Sequence, residues 1–159
     1  MPDSRSFQVN YIHYESSKDL KGIHRSLLIK AKEMAAKAYA PYSNFSVGAA
    51  VLLDNGKEIY GSNQENRAFP SGLCAERVAL FSAGANHPAQ KTIAIAIYAD
   101  TEDQISPCGA CRQVMLEYEV KQGKQIEIFL MNGKGEVRYF KGISNLLPFG
   151  FKFDKFHSK

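Results

Sequence analysis

An α/β fold, a three-layer α/β/α sandwich around a mixed five-stranded sheet, is the architecture that this sequence predicts. Its segments follow the order αββαβαββ, and a sheet covered by helices is the compact solution for that order. One segment, Thr92 to Ala99, is apolar almost throughout, as a central strand buried on both faces would be. At 159 residues the chain has the length of one domain, 1–159, with residues 1–17 an N-terminal extension irregular by pattern apart from Phe7 and Tyr11-Ile12-His13-Tyr14, either an edge strand or a segment lying on a neighbour.

Ser16 and Asp19 have capping-box spacing ahead of the first helix. After them Leu20, Ile23, Leu27, Ala31, Met34 and Ala38 keep an i, i+3/i+4 rhythm, ended by the turn Pro41-Tyr42-Ser43-Asn44. Phe45, Val47, Ala49, Val51 and Leu53 alternate with smaller or polar residues at strand period. Asp54-Asn55-Gly56 turns the chain into a return strand at Glu58-Ile59-Tyr60. A helix opens near Cys74, with Val78, Leu80, Phe81 and Ala85 available for packing. Beyond the Thr92 strand, another runs from Pro107 or Cys108 to about Val120. Residues 126–131 and 137–140 form a last strand pair around Asn132-Gly133-Lys134-Gly135, and Ile143, Leu146 and Leu147 suggest a short helical turn.

All three cysteines fall in two short runs, Cys74-Ala75-Glu76 and Pro107-Cys108-Gly109-Ala110-Cys111. Three soft sulfur ligands suit zinc, and a catalytic zinc takes three protein ligands and leaves its fourth position to water. Cys108 and Cys111 share a face because they stand three apart on a helix, whereas Cys74 must come from a second element. Each run opens a helix, where the dipole favours thiolate, and Pro107 fits just ahead of the second one. Glu76 is close enough to a water on the metal to take its proton. A structural zinc site would want a fourth protein ligand. No fourth Cys exists, and His13, His24, His87 and His157 lie in neither run.

These runs, with Pro41-Tyr42-Ser43-Asn44-Phe45-Ser46-Val47-Gly48-Ala49, Asn63-Gln64-Glu65-Asn66 and Leu146-Leu147-Pro148-Phe149-Gly150-Phe151, resemble the cytidine deaminase family. The resemblance is to the small homotetrameric, three-cysteine type that acts on free nucleosides, and it covers most of residues 20–152. It implies one zinc per subunit on Cys74, Cys108 and Cys111, with Glu76 shuttling protons in the hydrolysis of cytidine and 2′-deoxycytidine to uridine and 2′-deoxyuridine with release of ammonia, a pyrimidine salvage step. It implies that Asn63 and Glu65 bond the ribose hydroxyls and that the Ala75 N–H meets the 2-oxo group. The Ser106 carbonyl would receive the leaving amine. Phe45 reads either as the aromatic against the pyrimidine or as core at the strand start. Phe151 reads either as reaching a neighbouring subunit's pocket or as packing in its own core. Arg77 is expected to offset part of the net negative charge of three thiolates on Zn²⁺, with Gln113 helping by hydrogen bonding; the alternative is a surface arginine in a helical pair. One departure stands out: Arg67-Ala68-Phe69-Pro70 follows Asn66, where relatives carry Ala, a small residue and Tyr.

The formal net charge of +4 is spread along the chain, with Lys155 and Lys159 among the lysines of a somewhat basic C-terminal part, and forms no block of like charges. No nucleic-acid partner is therefore expected. An odd cysteine count argues against a disulfide framework. The start lacks the apolar core of a signal peptide, and no apolar run is long enough to span a membrane. A cytoplasmic homotetramer acting on a small nucleoside is the expectation. Rival readings are a deaminase of a blasticidin-type cytosine nucleoside, a nucleic-acid-editing deaminase, and a zinc-stabilised binding module without catalysis.

Overall fold

The computed structural model describes residues 2–152, so Lys155, His157 and Lys159 lie outside the described residues. In chain order the elements are β1 (Ile12–Tyr14), α1 (Gly22–Ala35), β2 (Val47–Leu53), β3 (Glu58–Ser62), α2 (Ala75–Asn86), β4 (Thr92–Ala99), α3 (Gly109–Gln122), β5 (Glu127–Met131) and β6 (Val137–Lys141). The strands form one sheet in the order β1-β6-β5-β4-β2-β3. β4 and β5 run parallel and the other neighbours antiparallel. The mixed α/β sandwich is as expected, with six strands in place of five.

The sixth strand comes from the N-terminal extension, which takes the edge-strand alternative at Ile12–Tyr14. Ile12 pairs with Tyr139 and Tyr14 with Val137 on the edge of β6. Three half-exposed residues carry no periodicity of their own; the partner edge decides their conformation.

Helix α1 corrects the expected cap and stripe. Ser16 Oγ accepts from the Lys18 N–H at 3.2 Å, but it caps a separate 3-10 turn, Ser17–Asp19. Gly22, at φ +60°, makes the break before α1, a conformation that glycine adopts without a Cβ penalty. The stripe against the sheet is Leu27, Leu28, Ala31 and Ala35; Ile23 turns to solvent, and Ala38 lies beyond the helix. In α2, likewise, Ala79, Leu80 and Ala83 face inward, whereas Phe81 and Ala85 are exposed.

Every residue of β2 is buried. Ala49, Val51 and Leu53 join Ile95, Ile97, Ile128 and Leu130 beneath α2 and α3, while Ala50 and Leu52 join Ala94, Ala96 and Phe129 beneath α1. The residues between the predicted core positions therefore serve a second core on the other face. Two glycines, one on β2 and one on β3, set helix heights. A Cβ on Gly48 would strike the Ala31 carbonyl of α1, and one on Gly61 would lie 2.5 Å from the Ala75 carbonyl and 2.6 Å from the Ala79 nitrogen of α2. Gly61→Ala is accordingly expected to lower stability by about 1–3 kcal/mol, the usual range for overpacking, in denaturant titration. An unchanged midpoint would contradict this close seating of α2.

β3 and β4 both run antiparallel to β2 and so point the same way. The connections to α2 and α3 thus leave the sheet at one end, beyond the carboxyl ends of the strands, where open α/β sheets form crevices.

Candidate functional site

At that end the two helix starts converge. Cys74 is the N-cap of α2 and Cys108 the N-cap of α3, and neither sulfur is engaged in capping its helix. Cys111, in the first turn of α3, is buried. Cys74 Sγ lies 3.8 Å from Cys108 Sγ, which lies 3.5 Å from Cys111 Sγ. Sulfurs bound at ~2.3 Å to a tetrahedral zinc stand about 3.8 Å apart, so the cluster has the spacing of a zinc site. All three thiols are free of disulfides. The interaction with Cys111 and the nearby Arg77 guanidinium together pull the Cys74 thiol down to about 5, against the opposing effect of burial. The same pairing and burial push the Cys111 thiol up. Arg77 Nη2 stands 3.7 Å from Cys74 Sγ.

Glu76, the second residue of α2, is 4% exposed. Burial is the main cause that pushes its carboxyl above the ordinary range, and the charge of Cys74 adds to the shift. A carboxyl so shifted is suited to taking up and giving back a proton.

Cys74, Cys108 and Glu76 border a cavity of about 760 Å³, within the range of small-molecule sites, and the buried Cys111 does not line it. Of the residues singled out from sequence, Phe45, Asn63, Glu65, Cys74, Glu76, Arg77, Ser106 and Cys108 line it. Phe45 precedes β2 and is 44% exposed, so it is a cavity wall and not core. Ala75 is the first residue of α2, where backbone N–H groups lack an intrahelical partner.

Asn63 and Glu65 also build the cavity. Asn63 Oδ1 accepts from the Val47 N–H and its Nδ2 donates to the Phe45 carbonyl, both at 2.8 Å. Glu65 accepts from the Tyr42 N–H at 2.9 Å, from the Ser43 N–H at 3.3 Å and from the Ser43 hydroxyl. The Ser43 hydroxyl is the main cause that holds the Glu65 carboxyl below its ordinary range. Together the two side chains fix residues 41–47, the loop that presents Phe45.

Two expected residues lie elsewhere. The Gln113 amide pairs both ways with the Phe151 main chain, at 2.9 and 3.1 Å, instead of turning to the sulfurs. Helix phase explains this: Gln113 follows Cys111 by two positions and leaves its face. Phe151 is 74% exposed and does not line the cavity, so core packing is not its role.

Ser43 and Tyr42 have no individual role from sequence, and Phe69 is marked there only as a departure from relatives, yet Ser43 anchors Glu65 and all three line the cavity. The rings of Tyr42 and Phe69 meet edge to face at 6.4 Å. The turn signal at Pro41-Tyr42-Ser43-Asn44 was the available clue, because serine in a turn bonds nearby backbone; here its hydroxyl accepts from the Phe45 N–H at 3.0 Å.

A sequence profile described as the cytidine and deoxycytidylate deaminase zinc-binding region matches residues 22–124. The chain is 43% identical over 128 residues to a cytidine deaminase of Halalkalibacterium halodurans, covering 80% of this chain and 93% of that one. With a cytidine deaminase of Sporosarcina psychrophila it shares 40% identity over 125 residues, 79% of this chain and 88% of the other. A crystal structure of cytidine deaminase from Burkholderia pseudomallei superposes with a TM-score of 0.73 at 44% identity, over 82% of this chain and 100% of that chain.

Proposed function

The chain belongs to the cytidine and deoxycytidylate deaminase zinc-binding family, and from that premise we propose that it hydrolyses cytidine and 2′-deoxycytidine to their uridine counterparts, releasing ammonia. The observation that carries this reading is one buried carboxyl, Glu76, on a small-molecule cavity that Cys74 and Cys108 also line, with the three cysteine sulfurs within 4.8 Å of one another.

Cys74, Cys108 and Cys111 would hold the metal. When bound, zinc lowers the pKa of water and so supplies the nucleophile for C4 of the ring. Glu76 takes the proton that water gives up and delivers it to N3; it then takes the proton of the new C4 hydroxyl and passes it to the 4-amino group, which leaves as ammonia as the 4-oxo group forms. Its burial favours the protonated form between those transfers. The Ala75 N–H faces the 2-oxo group, the Ser106 carbonyl receives the amine, and Phe45 packs on the ring. Asn63 keeps a second Nδ2–H for a ribose hydroxyl, because only one is used on Phe45. Glu65 retains lone pairs beyond those held by Tyr42 and Ser43.

Arg77 offsets part of the negative charge that three thiolates leave on the site. Its approach to Cys74 supports this role over a surface helical pair. Arg77→Gln is expected to keep the fold and to lower turnover or zinc retention by roughly 10–100-fold, the scale of substitutions among groups that bond metal ligands. Unchanged kinetics and zinc content in that variant would remove Arg77 from the account.

As a quaternary reading, we place the chain in a homotetramer, with Phe151 directed at a neighbouring copy. Support comes from exposed Phe81, Phe149 and Phe151, and from the grip of Gln113 on the Phe151 main chain. A single domain in a reducing cytoplasm completes the proposal, and free thiols suit that compartment. Among the described residues no helix is long and apolar enough to cross a membrane.

Product analysis separates this reading from its rivals. Cytidine, deoxycytidine, a blasticidin-type nucleoside and a cytosine-containing single strand are each incubated with the protein. Turnover of the free ribosides is expected; turnover confined to the strand or to the antibiotic would replace the assignment.

A further inference from the structure

Arg112 follows Cys111 directly, and among the described residues no carboxylate pairs with it. Its guanidinium is distributed over three neutral acceptors. Nε donates to the Pro107 carbonyl at 2.7 Å, Nη2 to the Ser106 hydroxyl at 2.8 Å, and Nη1 to the Leu146 carbonyl at 2.9 Å. Its backbone N–H also donates to the Cys108 carbonyl at 3.0 Å. One residue thus takes two of the three consecutive carbonyls that lead into α3. Among the described residues the third, on Ser106, receives no hydrogen bond, and Ser106 lines the cavity beside Cys108.

A planar guanidinium fixes several donors in one fork, whereas an ammonium is a single point of charge on a flexible stem. The three bonds therefore set the direction of the turn through residues 106–108, not merely its attachment. We propose that Arg112 is a positioning residue for the reaction, holding the Ser106 carbonyl as the free acceptor at the cavity wall for the N–H of the departing amine. This inference rests on the deaminase reading above.

The test compares two substrates that yield the same uridine product. One is cytidine, which loses ammonia; the other is the 4-methoxypyrimidin-2-one riboside, which loses methanol and presents no N–H to a carbonyl. Rates are taken per bound zinc for the wild type, Arg112→Lys and Arg112→Gln. Both variants are expected to lose about 10- to 100-fold in kcat on cytidine, the scale of a misplaced group, with a smaller change in KM. On the methoxy substrate the loss should be several-fold less. Ser106→Ala removes only the Nη2 acceptor at an exposed position; it should shift the substrate ratio in the same direction by a smaller factor. Without substrate, amide exchange across residues 105–111 should quicken in the arginine variants.

Equal losses on the two substrates would mean a general structural role and would overturn the proposal. So would full cytidine turnover restored by lysine. A wild-type chain inert toward both substrates would overturn the deaminase reading itself, and this inference with it.

Discussion

Glu76→Gln is expected to abolish nearly all turnover while leaving zinc bound and the fold intact. The substitution preserves shape and volume in a position that is 4% exposed. It removes only the ability to carry a proton, a function that general acid–base catalysis values at roughly 10²–10⁴ in rate. Because burial disfavours the charged carboxylate at this position, a neutral amide should fit at least as well, and the melting temperature should not fall. The three sulfurs are untouched, so elemental analysis should still find zinc. Substantial cytidine turnover in the variant would remove Glu76 from the chemistry, whatever else the cavity does.

The second large effect concerns Cys111. Cys111→Ser replaces a buried sulfur, 3.5 Å from that of Cys108, with a harder and shorter hydroxyl. Zinc prefers thiolate here, and two remaining sulfurs on two different helices hold it poorly. Zinc content and turnover should therefore fall together. A ligand that binds only the folded state also stabilises it, by about 2.7 kcal/mol at a hundredfold excess over its Kd. A chelator should consequently lower the melting temperature of the parent protein and leave that of Cys111→Ser almost unchanged. Full zinc occupancy in the variant would exclude Cys111 from the ligand set.

The parts of this site that were legible in the sequence are those that depend on local spacing. Cys108 and Cys111 must stand one helical turn apart, and Glu76 must fall in the first turn of α2, two residues after Cys74, whatever the rest of the chain does. The limits of β4, Thr92–Ala99, were equally plain because a strand buried on both faces is written as one apolar run. Helix faces were less secure. Ile23 in α1 and Phe81 in α2 satisfy the apolar rhythm but face outward, because an amphipathic pattern rich in alanine admits neighbouring phases and packing chooses between them. Strand β1 could not be read, since its conformation comes from the edge of β6. The roles of Asn63 and Glu65 as braces for residues 41–47 were also hidden. Their partners lie across the fold, and composition alone shows only two polar side chains on a loop.

The measurement that bears most directly on the central claim is the loss of absorbance at the cytosine band, with purified protein and free cytidine, before and after a zinc chelator and again after zinc is restored. The account predicts turnover that the chelator abolishes and zinc returns. No turnover of cytidine or deoxycytidine by protein shown to carry zinc would contradict it, and the ribose roles proposed for Asn63 and Glu65 would have to be withdrawn.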